Sequence, residues 1–162
     1  MNSEDVTLPN PAMSRPALDV FWLNRLRQEG LSTLLPNTPT PTPAFVLCIQ
    51  QLNDGLYFEA HESLESLWAQ APYPLKLFYY ALIKLSVGLL QIERCNARTA
   101  ATQLSVGLQY LDPFTPTFMG LNVASLVDQS ENRLPLLQDV GRVDWPAMDG
   151  LRRVVFPTEP KP

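Results

Sequence analysis

The sequence predicts an all-α protein, an up-and-down helical bundle of about five to six helices. Three observations predict it. The 16 prolines are spread unevenly, and residues 44–71 and 75–112 contain none. Proline removes a backbone donor and clashes inside a helix, so proline-free windows flanked by prolines read as helices between loops. Within these windows apolar residues recur at spacings of three and four, whereas no run alternates with period two over several β-branched residues. The connections left over are short, which makes successive helices antiparallel neighbours.

The first helix is predicted over 16–29, with Gly30 as its stop and an amphipathic spacing of Leu18, Phe21, Trp22, Arg25 and Leu26. A Thr/Pro run over 37–43 reads as a linker. The second helix begins near Pro43, carries Phe45, Val46, Ile49 and Leu52, and ends at Asn53-Asp54-Gly55, where glycine permits a left-handed cap. The third covers roughly 57–69. The fourth runs from about Pro74 to Glu93 and is apolar nearly all round, the mark of a central helix. The fifth follows Asn96 as N-cap and turns Ala97, Ala100, Ala101, Leu104, Leu108 and Leu111 to one face. Gly88 and Gly107 read as close-packing points. The sixth follows Asn122, with Val123, Leu126, Val127 and Leu134 inward. A short helical turn is expected at Asp144-Trp145-Pro146. The organisation is an N-terminal extension over 1–42, with one amphipathic helix and the Pro-rich linker, a bundle core over 43–140, and a tail over 141–162.

Composition narrows the function classes. A chain of 162 residues with 46% hydrophobic and 17% charged residues can bury one real core. The formal net charge is -4 and the densest basic cluster is the pair Arg152-Arg153, so nucleic acid is excluded as a main partner. No signal-peptide pattern opens the chain. The longest apolar stretch, 77–92, is interrupted by Lys84, so no membrane span is expected and a cytoplasmic setting with reduced thiols is. Cys48 and Cys95 match no CxxC pattern and read as small core residues. With a single histidine and no GxSxG elbow, a Ser-His-Asp triad is excluded, and seven scattered glycines form no phosphate loop. Trp22 and Trp145 read as core or interface anchors. The N-terminal helix suits covering the bundle or a second copy, so a homo-oligomer is an expected partner state.

The chemistry-bearing segment is Tyr57-Phe58-Glu59-Ala60-His61-Glu62-Ser63-Leu64-Glu65-Ser66-Leu67-Trp68. On a helical wheel His61, Leu64, Glu65 and Trp68 fall within about 100° of arc, Glu62 lies at the edge, and Glu59, Ser63 and Ser66 point away. His61 and Glu65, one turn apart, are therefore expected inside the apolar stripe, where an unpaired carboxylate would be costly. On the facing helix Tyr80, Lys84 and Gln91 form a polar line, and Lys84 would need an anion such as Glu62 or Glu65.

At these residues the chain resembles the family called domain of unknown function 309, some of whose members bear the label "predicted metal-dependent hydrolase". The family pattern is approximately FNxGxYFEAHExLExxW, and residues 52–68 follow it closely. A second stretch, 78–100, is similar in apolar spacing and at Asn96. The family tends to carry glutamine at the position of Lys84, histidine at that of Gln91, and glycine at those of Cys95 and Thr99. The resemblance implies three readings. In the first, His61 and Glu65 ligate a divalent metal and Glu62 is the catalytic base for a bound water. Lys84 and Gln91 argue against it, an ammonium and an amide standing where a cation and a ligand would be. In the second, His61, Glu62 and Glu65 pair with Tyr80, Lys84 or Gln91 in a polar network that fixes helix register. In the third, the cluster lines a pocket floored by Trp68 and Tyr80 that takes a small molecule or a partner. A sharper expectation is that Lys84 is a built-in cation in place of a metal.

Overall fold

A computed structural model describes residues 12–138, 143, 145 and 154–158. The described helices, in chain order, are α1 (Arg15–Glu29), α2 (Leu31–Leu34), α3 (Pro43–Asn53), α4 (Tyr57–Gln70), α5 (Leu75–Glu93), α6 (Ala97–Leu111) and α7 (Val123–Gln138). Between α6 and α7 lie a 3-10 turn, Asp112–Phe114, and a small antiparallel hairpin, β1 (Thr117–Phe118) and β2 (Leu121–Asn122). The protein is an all-α bundle, and of the expected turn at 144–146 only Trp145 is among the described residues.

The helix starts are set by local chemistry. Side-chain oxygens of Ser14, Thr42, Asn96 and Asn122 accept from backbone N–H groups of Ala17, Phe45, Thr99 and Ser125. Each satisfies one of the donors that a helix leaves open in its first turn. Pro16 and Pro43 sit in first turns, where the missing N–H costs nothing. Gly30 and Gly55 take positive φ at helix ends.

α5 is the central helix. It packs most extensively on α6, then on α4, and Leu77, Phe78, Ala81, Leu82, Leu85, Leu89 and Ile92 are essentially inaccessible. Gly88 and Gly107 let α5 and α6 approach. A Cβ on Gly88 would lie 2.8 Å from Leu104 Cδ2, and one on Gly107 would lie 2.9 Å from Leu85 Cδ2. By length and composition alone α5 is apolar enough to cross a membrane, a test that the buried core helix of a bundle also passes. Within the bundle 61% of that apolar window is buried.

Two helix faces and one cysteine differ from the predicted burial. Of the expected face of α1, Leu26 is buried and Leu18, Phe21, Trp22 and Arg25 are half-buried, while Asp19 and Leu23 are buried beside Leu26. On α3 Val46, expected inward, is exposed. Cys95 is exposed, not a core residue; it occupies the left-handed position after α5 at φ 56. The hairpin was invisible to periodicity because its strands are too short to alternate. Met119 and Gly120 at its tip both have positive φ, as a two-residue hairpin turn requires. It sets Phe118 against Phe78 and Phe114, with ring centroids 4.7 and 4.9 Å apart.

The segment 154–158 is part of the packed body. Asn53 accepts from the backbone N–H of Phe156 at 2.7 Å and donates to its carbonyl at 3.1 Å. Gln129 makes the same double exchange with Val155. Val154 and Phe156 are buried. Asn53, in the cap that ends α3, therefore anchors the tail.

Candidate functional site

α4 buries Tyr57, Ala60 and Leu64, so its apolar stripe is rotated from the one drawn on the wheel. His61, Glu65 and Trp68 border that stripe instead of lying within it. The His61 side chain is 24% and that of Glu65 55% exposed, and His61 Nε2 lies 3.1 Å from Glu65 Oε1. This corrects the premise of a buried carboxylate: the Glu65 side chain is more than half exposed.

These residues open onto a cavity of about 250 Å3 between α4, α5, α6 and the start of α1. Its polar lining is Arg15, His61, Glu65, Tyr80, Lys84 and Gln103, and its apolar lining includes Trp68, Ile83 and Val87. Five of the expected residues thus come together: His61, Glu65, Trp68, Tyr80 and Lys84. Two do not. Glu62 points outward and is exposed, and Gln91, half-buried one turn beyond Val87, lies outside the cavity. Among the described residues Lys84 makes no ion pair with Glu62 or Glu65. Its ammonium sits 5.1 Å from the Tyr80 ring centroid instead.

Two cations lie near the Tyr80 ring. The Arg15 guanidinium is 4.8 Å from the same ring and 5.9 Å from that of Trp68. A negative ring face attracts each cation, but the two repel each other. Arg15 has a partner in Asp19, to which it is ion-paired on α1. Asp19 is 1% exposed and also accepts from Tyr73 Oη at 2.6 Å and Tyr110 Oη at 2.9 Å. Burial first, then the Asp19 hydrogen bond and charge, push both phenols above their ordinary value. Trp22 stacks on Tyr73, with centroids 5.8 Å apart, and completes the seat of α1.

Trp68 is positioned from behind. Lys76 Nζ donates to its carbonyl oxygen at 2.7 Å and lies 4.2 Å from its ring centroid. That lysine meets the carbonyl-rich end of α4, where a cation is favourable. Burial, and more weakly Arg15, lower the Lys76 pKa. Two lining residues each carry a buried polar atom that has no hydrogen-bond partner among the described residues: the donor Trp68 Nε1 and the acceptor Gln103 Oε1. Buried polar groups are nearly always paired, so an orphan donor and an orphan acceptor on one cavity are unusual.

A divalent metal does not fit this lining. His61 and Glu65 supply two ligands, and Glu62 lies outside the cavity. Among the described residues no three His, Cys, Asp or Glu side chains converge as a metal site requires. The two cations, Arg15 and Lys84, further oppose a third positive charge.

Sequence reasoning missed Arg15, Asp19, Tyr73, Tyr110 and Gln103. A signal existed for the first two: Arg15, Asp19, Trp22 and Leu26 recur at spacings of four, three and four, one continuous line on α1. Tyr73 and Gln103 carry no local signature; only the packing of distant elements brings them here.

No curated protein and no solved structure matches the chain. Residues 45–103, which hold most of α3, all of α4 and α5, and the first half of α6, match the family model described as a domain of unknown function (DUF309), and over that stretch the chain is similar to that family.

Proposed function

We propose that the bundle is a binding domain for a small polar organic molecule, held in the cavity between α1, α4, α5 and α6. One observation carries the reading: Trp68 and Gln103, which line the same cavity, each carry a buried polar side-chain atom, Nε1 and Oε1, without a partner among the described residues. Leaving such groups unmade costs roughly 1–3 kcal/mol each, and a ligand that pairs them recovers that cost. The volume of about 250 Å3 lies below the span typical of drug-sized sites, so the ligand is small. Aromatic and aliphatic walls with a few convergent polar groups are the usual make-up of such sites. In this reading Lys84 supplies the positive charge that a metal would otherwise bring, and His61 and Glu65 are contact residues, not metal ligands. The long stretch shared with the family, 45–103, contains every lining residue except Arg15.

A thermal-shift screen of small polar metabolite-like compounds tests it. Compounds that raise the unfolding temperature of the wild-type chain are expected to lose that effect in Lys84→Met and Gln103→Leu. Saturation at a hundred times Kd corresponds to about 2.7 kcal/mol of stabilisation, well above detection. Hits that survive both substitutions would place the binding elsewhere. Stabilisation by Zn2+ or Mn2+ that depends on His61 and Glu65 would instead favour the metal-dependent hydrolase.

A further inference from the structure

The cavity has two charged poles of opposite sign. Lys84 carries an ammonium with no carboxylate paired to it among the described residues, and it shares the Tyr80 ring with the Arg15 guanidinium. Arg15 is matched by Asp19, which makes the positive excess at this ring one charge, that of Lys84. Glu65 is the only carboxylate of the described lining, bonded to His61 alone and half in water. The two orphan atoms repeat the pattern, one being a donor (Trp68 Nε1) and the other an acceptor (Gln103 Oε1).

A ligand matched to this set brings an anionic acceptor for Lys84 and the indole N–H, and a cationic donor for Glu65 and the Gln103 carbonyl. A simple anion would leave Gln103 Oε1 unpaired and approach Glu65 with like charge; a simple amine would do the same at Trp68 Nε1 and Lys84. Ile83 and Val87 leave a short apolar wall for a small side chain. We infer that the cavity recognises a small zwitterion bearing one carboxylate and one ammonium, the chemistry of a free amino acid. The inference rests on the pocket reading proposed above. It also assigns Arg15, from α1 and outside the family-matched residues 45–103, a part in specificity through its contact with the Tyr80 ring.

The test uses the full-length chain labelled with 15N and follows the indole N–H signal of Trp68, which is identified by its loss in Trp68→Phe. The chain has three tryptophans, so the assignment is unambiguous. The protein is titrated with the standard L-amino acids, and then the best binder is compared with its deaminated acid and its decarboxylated amine. The amino acid is expected to move the Trp68 signal and to bind at least about tenfold more tightly than either analogue, because each analogue strands one pole. Glu65→Gln is expected to weaken the amino acid and spare the acid, while Lys84→Met weakens the amino acid and spares the amine. Both side chains are partly exposed, so both variants are expected to fold. If the acid or the amine binds as tightly as the amino acid, the zwitterion inference is overturned and the pocket stands. The same holds if no amino acid moves the signal while other small compounds do. If no compound of any class moves it, both the inference and the pocket reading fail.

Discussion

Asp19 is 1% exposed and holds groups from three parts of the chain: Arg15 on α1, Tyr73 ahead of α5 and Tyr110 on α6. Its removal strands two half-buried phenols and frees Arg15 from its partner. Asp19→Ala is therefore expected to lower the unfolding free energy by about 2–4 kcal/mol, as read by urea denaturation. The phenols make a second prediction. Both have pKa values raised above the ordinary 10.0, chiefly by burial. The folded chain keeps them protonated where the unfolded chain ionises them. Their contribution is thus complete below pH 10 and is lost as the pH climbs above it. Stability should decline above that point by up to about 1.4 kcal/mol per pH unit for each phenol, and the decline should be shallower in Tyr73→Phe combined with Tyr110→Phe. An unchanged slope in that double variant would remove the phenols from the account. None of this was legible locally, because a mid-helix aspartate reads as solvent-facing until its partners are known. Cys48 illustrates the opposite case: a small apolar-like residue expected in the core is there, its thiol pushed up to about 11 by burial.

At the scale of elements, α5 and α6 approach each other closely at Gly88 and Gly107. Alanine gains roughly 1 kcal/mol in helix propensity over glycine, but a Cβ at Gly88 would meet Leu104 at 2.8 Å. Leu104 is fully buried and has nowhere to turn. Overpacking outweighs propensity here, and Gly88→Ala is expected to cost about 1–2 kcal/mol net in a urea titration. The end of α5 gives a prediction of opposite sign. Cys95 stands in a left-handed conformation where the family tends to carry glycine, and Asn96 N–H closes back on the Gln91 carbonyl at 2.9 Å. A side chain in that conformation costs roughly 1 kcal/mol or more, so Cys95→Gly is expected to raise the thermal midpoint. Helix boundaries were readable from the sequence because capping is a contact among residues three or four apart. Helix faces were read less well. Which side of α1 or α4 is buried depends on α5 and α6, and a wheel drawn from one helix cannot know where its neighbour lies. The error on α4 was small in angle but decisive in chemistry, since it moved Glu65 from the core to the rim of a cavity.

Across the whole molecule, polar roles divide between two neighbouring clusters joined by Arg15. The cluster around Asp19 ties α1 to the bundle and is dry and saturated. The cluster around His61 is half-wet, with an ammonium that lacks a carboxylate and two atoms that lack a partner among the described residues. This division makes the N-terminal helix, read from sequence as an extension, one wall of the site. The sequence identified the His61 segment as the place of interest and Lys84 as its unusual neighbour; it did not identify the cavity, because a cavity is a property of four helices at once. If the His61 cluster is kept for a ligand and not for the fold, its loss should cost little stability. The direct measurement is the urea unfolding free energy of a His61→Ala, Glu65→Ala, Lys84→Met triple variant beside the wild type. An exposed pair and a lysine without an ion pair predict a loss below about 1 kcal/mol. A loss of about 3 kcal/mol or more would show the cluster to be a structural network and contradict the pocket.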